Sequence, residues 1–197
     1  MDIDEKNIEE IRKIKEQEEI EMILAEIKDG ETLIEDHPVR FEEKKIYNKK
    51  IKIVLPEKYD HMKEEYVKIK YPSENRPQVI ISDEDGTISF MFNITGAGVK
   101  EEELEEFRDS MKKFLGNLNG SIIFKESSME KINGKSIGCI EFISPAMDSE
   151  IYNLMWFASF EGKAAIIGFN CIKEMSSTWK NIAKAVIRTL VFNEEAN

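Results

Sequence analysis

Apolar residues recur at helical spacing in two long segments of the chain. The first covers about residues 99–118, and its apolar positions form one continuous face: Leu104, Phe107, Met111, Phe114, Leu115 and Leu118. Residues 101–103 are glutamates, which suit the positive end of a helix dipole. The second segment begins at Ser176 or Ser177, reaches about residue 191, and carries the apolar face Trp179, Ile182, Val186 and Leu190. Both segments are predicted to be amphipathic helices that cover a sheet.

A third helical pattern covers about residues 2–28 and ends before Gly30. Its apolar stripe is narrow: Ile8, Ile11, Ile14, Ile20, Ile23, Leu24 and Ile27. Residues 1–30 hold eleven Asp or Glu against five Lys or Arg. This pattern fits a helix that docks on its own domain, and it also fits a coiled-coil or partner-binding arm. We therefore divide the chain into an acidic N-terminal helix, residues 1–30, and a single domain, residues 38–193.

Alternating patterns and turn residues predict four β-hairpins. Their strands are residues 40–47 with 50–55, 78–82 with 87–95, 121–132 with 135–143, and 150–160 with 163–172. Asn133-Gly134 is the strongest turn signal, because a type I′ turn needs positive φ at both positions. The last two strands are apolar on both alternating sets, so both faces of the sheet must be covered. We predict an α+β fold, an α/β/α sandwich in which an antiparallel sheet of about six to eight strands lies between helices.

Three shorter features complete this outline. His37-Pro38 is predicted to interrupt the chain before the first hairpin. A short helix is predicted over about residues 58–67. Gly96-Ala97-Gly98 is predicted to form a flexible turn between a strand and the long helix.

The loop Lys70-Tyr71-Pro72-Ser73-Glu74-Asn75-Arg76-Pro77 contains two prolines, which exclude it from helix and strand interiors. The motifs that accompany it are Ile53-Val54-Leu55-Pro56, Met62, the Asn-Gly hairpin, Gly168-Phe169-Asn170-Cys171 and Thr178-Trp179. Together these motifs make residues 39–192 resemble the PsbP-like α/β/α superfamily, and in particular its bacterial DcrB-like branch. The resemblance implies a non-catalytic scaffold, since relatives include an auxiliary photosystem II protein, a Ran-binding nuclear-transport factor and chaperones for type VI secretion effectors.

Charge and cysteine usage narrow the functional classes. A net charge of −11 argues against nucleic acid and anionic membrane surfaces, which both require Lys and Arg. No stretch approaches the ~20 apolar residues of a spanning helix, so we expect no membrane insertion. The acidic N-terminus is unlike a secretory signal, and a cytoplasmic location is expected. Cys139 and Cys171 are predicted to be buried, reduced thiols.

Candidate catalytic residues are sparse. His37 and His61 are the only histidines, and both are expected at the surface beside loop-forming residues, which leaves a nucleophile with little choice of base. Asp83-Glu84-Asp85 precede Gly86 without the ligand spacing of an EF-hand, so a hairpin turn is predicted there. No Cys/His cluster is present. We therefore predict neither an enzyme, nor a metal site, nor a cofactor.

The remaining candidate is a binding surface formed by Tyr66, Tyr71 and Arg76, with Trp156 or Trp179. Tyr and Arg dominate interface hot spots because they combine large area with directional polar groups. In the alternative interpretation, Tyr71 plugs the sheet edge and Arg76 pairs with Glu74 or a carbonyl group.

These observations support two functional hypotheses. The first is a non-catalytic adaptor or chaperone-like domain that binds an unidentified protein or peptide through this loop or one face of the sheet. The alternative is a carrier of small apolar ligands, with a pocket between the sheet and a helix. Self-association through residues 1–30 is a further expectation, based on the apolar stripe of that helix.

Overall fold

A computed structural model describes residues 3–74 and 76–193, with the backbone alone for residues 3–6. The helices are α1 (Ile3–Asp29), α2 (Glu64–Lys70), α3 (Leu104–Leu118) and α4 (Ser176–Ile187). The strands are β1 (Glu31–Ile34), β2 (His37–Ile46), β3 (Ile51–Pro56), β4 (Asp60–His61), β5 (Val79–Ser82), β6 (Ile88–Gly98), β7 (Ile123–Ile132), β8 (Lys135–Pro145), β9 (Glu150–Phe160), β10 (Lys163–Ile172) and β11 (Val191–Phe192).

Seven antiparallel strands form the central sheet, in the order β4-β5-β6-β10-β9-β8-β7. The predicted hairpins β5–β6, β7–β8 and β9–β10 are all present. Asn133 and Gly134 have φ angles of 48° and 85°, as a type I′ turn requires. Glu161 and Gly162 close the β9–β10 hairpin with φ angles of 50° and 73°. The local turn signals therefore set most of this sheet.

Four further strands form a second sheet, in the order β1-β2-β3-β11, which the sequence patterns do not separate from the first. The predicted interruption at His37-Pro38 is wrong, because both residues lie in β2 and pair with β1. Proline is tolerated there because β3 pairs with β2 only from Phe41 onward, which leaves Pro38 with a strand on one side. The turn between β1 and β2 uses positive φ at Glu35 and Asp36.

Three shorter features also differ from the prediction. The short helix α2 begins later than expected because the chain first adds β4 to the edge of the central sheet. The glycine-rich segment is not a turn, since β6 continues through Gly98, which pairs with Lys163. Helix α4 is shorter than predicted, and the chain returns as β11 to pair with β3.

Helices cover both faces of the central sheet, which confirms the predicted sandwich. One face packs against α1, α4 and the four-stranded sheet around a large apolar cluster that includes Trp156 and Phe92. The opposite face packs against α3, where Leu104 contacts a smaller cluster. Helix α2 covers another part of that face, with Val67 packed against Ile80. Strands β9 and β10 are therefore buried on both sides, as their two apolar sets require.

Helix α1 docks through its C-terminal half. Ile20, Leu24 and Ile27 are buried in the large cluster, beside α4. By contrast, Ile8 and Ile11 in the N-terminal half are 66% and 54% exposed. The C-terminal half is thus part of the core, whereas Ile8 and Ile11 of the N-terminal half remain largely in solvent.

Candidate functional site

Tyr71 fills the space between α2 and the central sheet. It packs against a small cluster of Met62, Val67 and Ile80. Its hydroxyl accepts a hydrogen bond from Asn170 Nδ2 at 3.0 Å and lies 3.1 Å from the sulfur of Met91. Burial raises the pKa of the Tyr71 hydroxyl, and hydrogen bonds offset part of that rise. These contacts are those of a structural plug, but it packs on the interior strands β6 and β10 and not at the predicted sheet edge.

Arg76 and Tyr66 lie on opposite flanks of α2. Arg76 Nη2 is 3.5 Å from Glu64 Oε1, and both side chains are exposed. Glu64 and Tyr66 are two residues apart and therefore about 200° apart around the helix. Tyr66 faces the β5–β6 turn, and Lys63 Nζ lies 5.8 Å from the centre of its ring. The helix thus separates the two side chains that the sequence groups together.

Ile69 stands between these flanks, on the outward side of α2. It is 76% exposed, and it lies two residues from the buried Val67, which places it on the opposite side of the helix. We define the α2 surface as Tyr66, Ile69 and Arg76. The sequence prediction misses Ile69 because its helix ends before this residue; the helix register is the signal that identifies it.

Trp156 lies on the opposite face of the sheet from Tyr71, so the prediction that the two form one surface is wrong. Trp156 is 1% exposed. Its register partner on β10 is Ile167, and the partner of Ile167 on β6 is Phe92, so these three side chains lie on the same face of the sheet. Met91, which contacts Tyr71, precedes Phe92 and therefore points to the opposite face of the sheet. A strand that is apolar on both sides contains no local signal of which face a given side chain will occupy.

A groove of about 610 Å³ lies between α1, β7, β8 and α4. Its apolar residues are Ile20, Leu24, Ile132, Cys139 and Trp156. Charged side chains along it pair with one another: Arg188 lies 2.9 Å from Glu21 and 3.4 Å from Glu130. This groove is therefore an ionic seam that holds α1 on the domain.

Glu16 provides the second set of ion pairs along the same seam. Its carboxylate lies 2.8 Å from Lys184 Nζ and 3.2 Å from Lys180 Nζ, and both lysines also face the buried Glu141. Burial alone raises the pKa of Glu16, but the hydrogen bonds and charges of the two lysines outweigh it, so the pKa is lowered. The charged form of Glu16 is thus favoured when α1 is docked.

A more apolar pocket of about 470 Å³ lies between the four-stranded sheet and the first turn of α4. Trp179 and Tyr59 are stacked, with their ring centres 6.0 Å apart, and both are nearly buried. The other lining residues are Glu31, Pro38, Val39, Arg40, Pro56, Glu57 and Lys58. We call this cavity the aromatic pocket. It has apolar walls with two basic and two acidic side chains among its lining residues, which suits an amphipathic ligand.

Of the residues considered for catalysis, His61 and Asp83 line one small pocket of about 220 Å³, and His37 is not among its lining residues. His37 lies in β2 and His61 in β4, which belong to different sheets, and both side chains are exposed. Asp83 accepts hydrogen bonds from the Thr87 hydroxyl and the Ile88 backbone N–H, and so closes the predicted β5–β6 turn. Across residues 3–74 and 76–193, no three His, Cys, Asp or Glu side chains are arranged to hold a metal ion.

The two cysteines are free and buried, as predicted. In the sheet register, Cys139 lies opposite Trp156 and Cys171 lies opposite Tyr152. Tyr152 and Trp156 are four residues apart along β9. That separation is about 13 Å along the strand, beyond the reach of a disulfide. Within the part of the chain that the structure describes, no helix is both long and apolar enough to cross a bilayer.

No protein-family model matches the sequence, and no curated protein is similar to it at a significant level. Solved structures do match. The solution structure of cyanobacterial PsbP (CyanoP) from Synechocystis sp. PCC 6803 aligns with 82% of this chain and 97% of its own, at 8% identity and a TM-score of 0.57. The chain has the PsbP-like fold.

Two further structures share this PsbP/Mog1-like fold. The Ran-binding protein Mog1p of Saccharomyces cerevisiae aligns with 79% of this chain and 97% of its own, at 14% identity and a TM-score of 0.52. LpqN, involved in cell envelope biogenesis of Mycobacterium tuberculosis, aligns with 82% of this chain and 95% of its own, at 12% identity and a TM-score of 0.52. At these identities the similarity shows the fold alone.

Proposed function

We propose that this chain is a non-catalytic, protein-binding adaptor or chaperone-like domain of the DcrB-like branch, located in the cytoplasm, and that its partner docks on the α2 surface. The observation that carries this proposal is the 76% exposure of Ile69 on a helix that is anchored by Val67 and Tyr71. An apolar side chain held on a rigid support is a suitable anchor for an interface, because little conformational entropy is lost on binding. The similar fold of Mog1p, a Ran-binding protein, supports the same class of function.

The flanks of the α2 surface indicate the chemistry of the partner. Tyr66 and Arg76 add the residue types that are enriched at hot spots. The Arg76–Glu64 pair is exposed on both sides, and such pairs contribute about 0–1 kcal/mol. Arg76 can therefore exchange Glu64 for a partner carboxylate at little cost. The expected partner presents an apolar side chain to Ile69 and a carboxylate to Arg76.

Affinity capture from native lysate tests this site with matched variants. Ile69→Asp and Arg76→Glu are each expected to lose the protein that the wild type retains. Leu118→Asp is the control, because Leu118 is 67% exposed on α3, away from α2. The captured protein is then purified and its affinity for each variant is measured. Equal affinity for the wild type and Ile69→Asp would contradict the proposed surface.

The aromatic pocket supports a second candidate function, that of a carrier of small amphipathic ligands. Dodecanoate is a suitable probe, since its chain fits apolar walls and its carboxylate can contact Arg40 or Lys58. Saturable quenching of Trp179 fluorescence is expected. Trp179→Phe, which leaves only the buried Trp156, should abolish the signal. A flat titration with the wild type would exclude this carrier function for fatty acids.

A further inference from the structure

The solvent side of α1 carries a second pattern, distinct from the side that docks. Exposed residues recur there at alternating spacings of three and four, which is the heptad pattern of a coiled-coil seam: Ile8, Ile11, Lys15, Glu18, Met22 and Ala25. We call this set the outer seam. Ile8, Ile11 and Met22 are 66%, 54% and 65% exposed. The apolar side chains of the outer seam therefore have no contact that buries them within the chain.

Beyond Ile8, which also lines a groove between α1 and the domain, the outer seam points away from the domain. Met22 lies two residues from Ile20 and two from Leu24, both of which are buried. Two residues correspond to about 200° around a helix, so Met22 is on the opposite side from the docked face. Ala25 lies two residues from the buried Ile27, so it is also on the opposite side from the docked face. A partner helix can thus lie along the outer seam while α1 remains docked on its own domain.

We propose that a second copy of this chain occupies the outer seam, with the two α1 helices antiparallel. In this arrangement Ile8 faces Ala25 of the other copy, and Ile11 faces Met22. Lys15 faces Glu18, which brings opposite charges together twice in each dimer. A single two-fold axis that crosses α1 between residues 16 and 17 satisfies all three pairings. The outer seam is therefore self-complementary in both apolarity and charge.

The central charges decide the direction of the helices. In a parallel pair, Lys15 would face Lys15 and Glu18 would face Glu18 of the other copy, and like charges in a seam are unfavourable. Antiparallel pairing replaces both repulsions with attractions. Residues 8–25 span about 27 Å of helix. An interface of this length is small, so we expect a reversible, concentration-dependent dimer rather than an obligate one.

Charge reversal of the full-length chain tests the pairing by sedimentation equilibrium. Lys15→Glu and Glu18→Lys are each expected to weaken dimerisation by at least about tenfold, because each change creates two like-charge contacts. The double variant, with both charges exchanged, should restore it. Glu10→Lys is the matched control for Glu18→Lys, since Glu10 is exposed on α1 outside the outer seam. A wild type that stays monomeric, or single variants that dimerise normally, would overturn the proposal.

Disulfide cross-linking tests the register independently. A mixture of Ile11→Cys and Met22→Cys chains should form a cross-linked dimer on mild oxidation. Either variant alone should not, because in the antiparallel register residue 11 of one copy is about 16 Å from residue 11 of the other. The native Cys139 and Cys171 are buried and contribute little background. Cross-linking of Ile11→Cys alone, as fast as in the mixture, would show that the helices are parallel.

Discussion

Ile27→Ala and Ile11→Ala are the same change on the same helix, and the structure predicts very different costs. Ile27 is 1% exposed, and the change removes three carbon groups from the core, each worth about 0.8 kcal/mol of transfer free energy. The cavity that remains adds to this loss, and the better helix propensity of Ala offsets a few tenths. We expect a loss of about 2–4 kcal/mol in the free energy of unfolding. Ile11 is 54% exposed, so its change should stay within about 0.5 kcal/mol.

Urea unfolding followed by tryptophan fluorescence measures both variants, at a protein concentration low enough to keep the chain monomeric. The midpoint should fall for Ile27→Ala with an unchanged slope, and it should hardly move for Ile11→Ala. Truncation gives a second readout: removal of residues 1–15 should leave the unfolding midpoint near that of the full chain, whereas removal of residues 1–30 should lower it strongly. Equal costs for the two substitutions would show that α1 is not docked as the structure describes.

Three further outcomes are expected. Asn133→Asp retains a residue type that tolerates positive φ but removes the N–H donor to the Leu190 carbonyl, 2.7 Å away. The free energy of unfolding in urea should therefore fall by about 1–3 kcal/mol; an unchanged midpoint would show that this hydrogen bond does not contribute to stability. The pKa of Glu16 is lower in the folded chain, so its contribution to stability is present at neutral pH and is lost on acidification, as the pH falls through this lowered pKa. Glu16→Gln should therefore show a smaller fall in the unfolding midpoint on acidification than the wild type. Burial raises the pKa of the Cys139 thiol, and it raises the pKa of the Cys171 thiol to about 12. Ellman's reagent should therefore label neither thiol in the native protein and both in urea; rapid native labelling would contradict their burial.

Only part of the candidate site could be predicted from the sequence. The sequence identifies the loop near Tyr71 and its two interpretations, and the contacts of Tyr71 with Asn170 and Met91 favour the plug. It does not identify Ile69, because that requires the register of a helix of only seven residues. A short helix contains too few turns for the spacing of its apolar residues to show which side is buried. Its start also depends on the strand that precedes it.

The four-stranded sheet illustrates the same limit for strands. Strand β1 has four residues and β11 has two, so neither contains enough alternation to be recognised. Each becomes a strand because a neighbouring segment offers free backbone groups: β2 for β1, and β3 for β11. The residue type of Pro38 argues against a strand, and only the one-sided pairing of β2 explains why a strand forms there.

The sequence by itself determined the hairpins closed by Asn133-Gly134 and Glu161-Gly162, the helical nature of α1, α3 and α4, and the need to cover both faces of the central sheet. These are local properties of backbone conformation and apolar period, which neighbouring residues specify. Only the tertiary structure decided that Trp156 faces the core side of the sheet, that α1 docks through one half, and that its outer seam is left in solvent. Those outcomes depend on contacts between segments far apart in the chain, and no local pattern contains them.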